Sequence, residues 1–171
     1  KAIPEAVQLT WMKQIANALQ YLHELGIIHR DIKSENILLS EDSESAVVKI
    51  IDFGISYYIF EEEELNLTCG TINYMAPELL LVKKYNKAVD IWSLGILFYL
   101  MIFDKYPYYE RDNEKHEISS ERKRQICEKD IEIPEYYQHD IIRLITMCLK
   151  RDVDERFSID DVVNLLGSFE N

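Results

Sequence analysis

The segment from Ala88 to Phe103 is apolar on every face except at Asp90 and Ser93. A helix without a polar face has to be wrapped by other elements, so this one is expected to lie buried. Its longest apolar run, Leu94 to Phe103, is too short to span a bilayer. Asp90 is the costly residue in that segment. A carboxylate taken out of water must be hydrogen-bonded, so backbone donors have to meet it. With 171 residues the chain has room for one domain with a sizeable core.

Other elements can be placed around this buried helix. Pro4 and Glu5 mark a helix start, and Gly26 a stop. Between them Val7, Trp11, Ile15, Ala18, Leu22 and Leu25 recur at helical spacing, which predicts a long amphipathic helix with this stripe on a core. Ile37-Leu38-Leu39 and Val47 to Ile51 are short apolar or β-branched runs flanking the polar stretch Ser40 to Ser45, the pattern of a small hairpin. Pairing those runs would set Asn36 beside Asp52. The segment 104–120, rich in charge and tyrosine, reads as a loop. Segments 121–129, 139–149 and 158–166 read as helices, the last opened by a capping-box pattern at Ser158 and Asp161. The fold class is therefore mainly α with a small β-hairpin.

The chemistry concentrates in two places. His29-Arg30-Asp31-Ile32-Lys33-Ser34-Glu35-Asn36 is followed, sixteen residues after Asn36, by Asp52-Phe53-Gly54. Asp31, Lys33, Asn36 and Asp52 are the groups a phosphoryl-transfer site needs: a base, a phosphate-binding cation and two hard metal ligands. The two motifs match the H-R-D-L-x-x-x-N and D-F-G signature of protein kinases, with Ile in place of Leu. The chain resembles the larger, C-terminal lobe of a eukaryotic serine/threonine protein kinase, from the first helix to about Leu166.

That resemblance implies roles residue by residue. Asp31 would be the catalytic base, Lys33 would hold the transferring phosphate, and Asn36 and Asp52 would ligate Mg²⁺ bridging the phosphates of ATP. Gly70-Thr71 opens a run to Ala76-Pro77-Glu78 that is similar to the end of a kinase activation segment. Thr71 would then hydrogen-bond Asp31 and Lys33. Lys33 itself points to the serine/threonine class. Glu78 would pair with Arg156, and Asp90 would brace the catalytic-loop backbone, supplying the donors its burial demands. His29 and Phe53 would stack inside the lobe as structural residues. Leu38, with Ile37, resembles the apolar floor under an adenine ring, although by sequence alone it is a strand residue. Glu35 stands where a substrate arginine can be met.

Arg30 implies control by charge on the activation segment. Many family members carry the accepting threonine three residues before Gly70, where this chain has Leu67. Phosphorylation at Thr68, one position off, and a constitutive negative charge from Glu61 to Glu64 are the two alternatives.

Formal net charge is −12, which argues against nucleic acid or an anionic membrane as partner and favours basic ones. Three cysteines without a C-x-x-C pair suit free thiols in a reducing, cytoplasmic compartment and offer no metal site. No signal peptide or internal repeat is visible. The five glycines form no G-x-G pair, and nothing resembles V-A-I-K, so the smaller lobe with its phosphate-covering loop and strand lysine is not found in residues 1–171. The expectation is a partial kinase domain that needs its own N-terminal lobe and turns over negligibly without it. The Tyr-Pro-Tyr-Tyr turn at 106–109 leans towards the calcium/calmodulin-dependent type. The rival class is a non-catalytic kinase-like scaffold, which usually loses Asp31 or Asp52. A small-molecule kinase is disfavoured by the complete Ala-Pro-Glu segment.

Overall fold

The computed structural model describes residues 3–60, 64–108, 120–133 and 139–169. The first helix, α1 (Glu5–Glu24), leads through Gly26, at φ 76°, into the short strand β1 (Ile27–Ile28). Strands β2 (Ile37–Leu39) and β3 (Val48–Ile50) form the expected antiparallel hairpin, with Ile37 opposite Ile50 and Leu39 opposite Val48. The pairing extends one step, as Ile51 N–H donates to the Asn36 carbonyl at 2.9 Å. That step draws Asn36 up to the residue preceding Asp52. A fourth strand, β4 (Tyr57–Tyr58), pairs antiparallel with β1. This pair has no sequence signal, because two residues per strand are too few to show alternation.

The chain then passes a four-residue helix, α2 (Pro77–Leu80), and enters the apolar helix α3 (Ala88–Phe103), in which every residue from Val89 to Tyr99 is buried. It packs against α1 and α5 (His139–Cys148), while α4 (Ser120–Glu128) packs on α2 and α6 (Ile159–Ser168) on α1 and α5. The boundaries fall within two residues of expectation. The Ser158–Asp161 capping box is complete: Asp161 N–H donates to Ser158 Oγ, and Ser158 N–H to the Asp161 carboxylate at 2.9 Å. Segment 104–108 is irregular as expected, while 109–119 lies outside the described residues. Among the described residues no helix is long and apolar enough to cross a membrane.

One expectation needs correction. The deeply buried face of α1 is Met12, Ile15, Ala16, Leu19 and His23. Of the predicted stripe Ile15 belongs to that face and Trp11 and Leu22 pack at its edge, while Val7 and Ala18 are half-buried and Leu25 is 45% exposed. The helix is turned so that His23 faces inward. A histidine does not register in an apolar periodicity, yet here it meets the buried Asp90 at 2.9 Å.

The α3–α5 crossing is set by Gly95. A Cβ built there would stand 2.7 Å from Cys148 Cβ and 2.9 Å from Leu149 Cδ2. Close packing leaves no slack, so Gly95→Ala is expected to destabilise by about 1–3 kcal/mol. Chemical denaturation measures this, and a variant as stable as the wild type would show that α5 can move aside.

Candidate active site

Two stretches of chain meet at Asp31: its own loop, through Lys33 and Asn36, and the segment at Thr71. The turn around Asp52 packs on His29, two residues away. Arg30 (φ 67°) and Asp52 (φ 64°) both hold the left-handed conformation that non-glycine residues avoid. Such backbone persists only where surrounding bonds over-determine it. For Arg30 those bonds are visible. The fully buried Asp90 accepts from His29 N–H at 2.9 Å and from Arg30 N–H at 2.8 Å. Asp90 thus has the backbone donors its burial requires, and His23 is a third partner.

His29 is buried, its Nδ1 accepting from Asp31 N–H. Its other nitrogen therefore carries the proton and donates to the Ile51 carbonyl at 3.0 Å. Both ring nitrogens are used structurally, which leaves none to act as a base. Phe53 meets the His29 ring edge-on at 5.0 Å between centroids. The expected ring contact forms, but Phe53 is not inside the lobe: it is 47% exposed, with its outer face towards solvent.

The Asp31 carboxylate is fully engaged. Oδ1 accepts from Thr71 Oγ1 at 2.7 Å and from Thr71 N–H at 3.0 Å. Oδ2 lies 2.7 Å from Lys33 Nζ and accepts from Asn36 Nδ2 at 3.1 Å. Lys33 Nζ also donates to Thr71 Oγ1 at 2.8 Å, closing a ring of three side chains. Burial pushes the Asp31 pKa up, but the Lys33 and Thr71 hydrogen bonds, the Lys33 charge and Asn36 outweigh it, so the carboxyl sits below its usual range. It stays ionised throughout the neutral range and offers negative charge to an incoming proton.

Asn36 ends a 3₁₀ turn (Ser34–Asn36) and is buried. Its amide nitrogen is spent on the Asp31 carbonyl at 2.8 Å and on the carboxylate, which fixes the side chain with Oδ1 as its remaining polar atom. Asp52 is exposed, and its Oδ1 accepts from Gly54 N–H at 3.2 Å. Among the described residues no hydrogen bond ends on Asn36 Oδ1 or Asp52 Oδ2. An amide oxygen and a carboxylate oxygen are the hard donors Mg²⁺ takes in pairs while phosphates and water complete its shell, so the residues fit that ion. Among the described residues no group of three or more His, Cys, Asp or Glu is arranged to hold a metal ion.

Glu35 is exposed and accepts from Ser34 Oγ, and Leu38 lies on the hairpin at 49% exposure. Neither joins the Asp31 network. Glu78 and Arg156 form the buried pair, with Arg156 Nη1 to Oε1 at 2.6 Å and Nη2 to Oε2 at 3.0 Å. Sequence reasoning missed Tyr74, whose buried hydroxyl meets Ser34 Oγ at 3.0 Å and so ties the segment after Thr71 to the turn after Lys33. Burial pushes that hydroxyl well above its usual pKa, so it remains neutral. A tyrosine four residues before Glu78 has no pattern that would reveal this contact.

The comparison with known proteins points to one family. The protein kinase domain family matches residues 1–165. The serine/threonine-protein kinase atg1 of Dictyostelium discoideum is 37% identical over 164 residues, covering 96% of this chain and 24% of that protein. An Aurora kinase of Schizosaccharomyces pombe is 37% identical over 163 residues, 95% of this chain and 43% of its own length. The serine/threonine-protein kinase kin-29 of Caenorhabditis elegans is 35% identical over 162 residues, 94% and 19% respectively. The chain belongs to the protein kinase family, on the serine/threonine side. It spans less than half the length of each of these relatives.

Proposed function

We propose that this chain is the larger lobe of a serine/threonine protein kinase and that, joined to its own smaller lobe, it transfers the γ-phosphate of ATP to a protein hydroxyl. The observation that carries this reading is the closed ring of Asp31, Lys33 and Thr71, with Asn36 bonded to the same carboxylate. Asp31 takes the proton of the substrate hydroxyl as the oxygen attacks phosphorus. Lys33, already between Asp31 and Thr71, offsets the charge that grows on the transferring phosphoryl group. Asn36 and Asp52 would hold Mg²⁺, which neutralises nucleotide phosphate charge when bound. Thr71 orients the other two side chains and is the group a serine/threonine site places there. Leu38 would lie under the adenine, and Glu35 would face a basic residue of the substrate. The three free thiols support a reducing, cytoplasmic setting.

The experiment is phosphate transfer from Mg-ATP to a mixed Ser/Thr/Tyr peptide library, using the chain together with its upstream region. Transfer is expected on Ser and Thr, and Asp31→Asn is expected to cut it by about 10²–10⁴-fold, the usual worth of a positioned base. The second reading, a non-catalytic scaffold, would take over if a folded, nucleotide-saturated wild type transferred nothing.

A further inference from the structure

The side chain of Arg30 is already occupied. Its Nε donates to the Ile55 carbonyl at 2.6 Å, its Nη1 donates to the Tyr85 hydroxyl at 3.1 Å, and its guanidinium lies 5.4 Å from the centre of the Tyr57 ring. No carboxylate among the described residues forms an ion pair with it. Of the acidic run at 61–64, residues 61–63 lie outside the described residues, and Glu64 pairs with Lys84 instead.

Tyr85 is 4% exposed and grips the activation segment twice. Its main chain exchanges two hydrogen bonds with Leu65, both 2.9 Å. Its hydroxyl donates to the Leu67 carbonyl at 2.7 Å. A phenol has one proton to give and lone pairs to receive, so accepting from Arg30 while donating to Leu67 satisfies it in both senses. Burial holds its pKa up, which keeps the proton in place. Three residues on, Gly70 (φ 105°) runs so close to Arg30 that a Cβ there would lie 2.5 Å from the Arg30 carbonyl oxygen. Thr71 then reaches Asp31. The side chain of Leu67, at the usual phosphate-accepting position, is 64% exposed, and the Thr68 hydroxyl faces the Leu79 carbonyl at 3.4 Å.

We propose that Tyr85 is a positioning residue for phosphoryl transfer: its hydroxyl bridges Arg30 to the Leu67 main chain and holds the segment that delivers Thr71 to Asp31, with no phosphate on that segment. The proposal rests on the kinase reading and adds to it a phosphorylation-independent order of the activation segment.

Tyr85→Phe tests it, because phenylalanine keeps the ring packing and the main-chain bridge to Leu65 and removes only the hydroxyl. The full-length protein, stripped of phosphate and checked by intact mass, is followed by amide exchange over residues 65–71 and by peptide kinetics. Phosphate-free wild type is expected to exchange slowly there and to retain its turnover. Tyr85→Phe is expected to exchange roughly tenfold faster at these amides, as losing about one hydrogen bond predicts, and to lose kcat by a similar factor while the KM for ATP holds. Wild-type exchange in Tyr85→Phe overturns the proposal whether or not the protein is active. So does a phosphate-free wild type whose segment loosens and whose turnover collapses, since a phosphate at Thr68 or elsewhere would then be doing the holding. If no sample turns over but the exchange difference is present, the bridge stands and the kinase reading alone fails.

Discussion

Glu78→Ala is expected to destabilise the protein by about 3–5 kcal/mol, because it strands a buried arginine without its counter-charge. For a chain of this size that is a fall of roughly 10 °C in melting temperature. The Arg156 side chain is wholly inaccessible to solvent, and every direction of its guanidinium is used. Two nitrogens clasp Glu78, Nη1 also donates to the Ala88 carbonyl at 2.9 Å, and Nε donates to the Lys150 carbonyl at 2.8 Å. The plane of the group lies 5.3 Å from the Trp92 ring centre, and Trp92 in turn stacks on Tyr108. One ion pair therefore ties α2 to the start of α3 and to the turn before α6. Removing Glu78 leaves a charge that water cannot reach. Arg156→Lys should fail nearly as badly, since one ammonium cannot reproduce the two parallel bonds. Replacing both partners by apolar residues of similar volume should recover much of the loss. Thermal denaturation of the single and double variants measures all three. A Glu78→Ala variant within 1 °C of wild type would show that water enters the pair.

What the sequence revealed, and what it hid, follows from how far apart the cooperating residues lie. Helix α3 and the hairpin were legible because their signals are local: an unbroken apolar segment, and two short runs around a polar turn. The site was legible for a different reason. Asp31, Lys33 and Asn36 lie within six residues, and Thr71 and Asp52 sit in motifs recognisable on their own. The ring of Asp31, Lys33 and Thr71 could be anticipated from the family, and the structure closes it. The turn of α1 could not be anticipated, because it depends on His23 meeting Asp90, sixty-seven residues away. Tyr85 was hidden for the same reason: its partners Arg30, Leu65 and Leu67 come from two other segments, and a tyrosine before a helix carries no periodic signal. Phe53 was misplaced because a motif says which ring it meets and nothing about what covers its other face.

Asp90→Asn is the finer probe of how the catalytic loop is held, and it is expected to cost about 1–3 kcal/mol despite being nearly isosteric. The carboxylate serves three donors with two oxygens: Oδ1 takes Arg30 N–H, while Oδ2 takes both His29 N–H and His23 Nε2. An asparagine has one acceptor oxygen. Placed at the Oδ1 position it leaves its NH₂ against His29 N–H, and placed at Oδ2 it leaves the NH₂ against Arg30 N–H. His23 can change tautomer and accept, but a backbone N–H cannot. Either way one main-chain donor of the catalytic loop is orphaned in the core. Arg30 is the residue least able to tolerate that, since its left-handed backbone (φ 67°) depends on such bonds. Any relaxation there moves Asp31, the next residue, relative to Thr71 and Lys33. The expected signature is therefore a modest drop in the urea midpoint together with a roughly tenfold or larger fall in the single-turnover rate of the full-length protein, as misplaced reacting groups produce. Asp90→Ala, which orphans both backbone donors and His23, should lose more stability, about 3 kcal/mol or more. An Asp90→Asn protein with wild-type midpoint and rate would mean that the loop keeps its shape without this carboxylate, and the left-handed turn at Arg30 would need another cause.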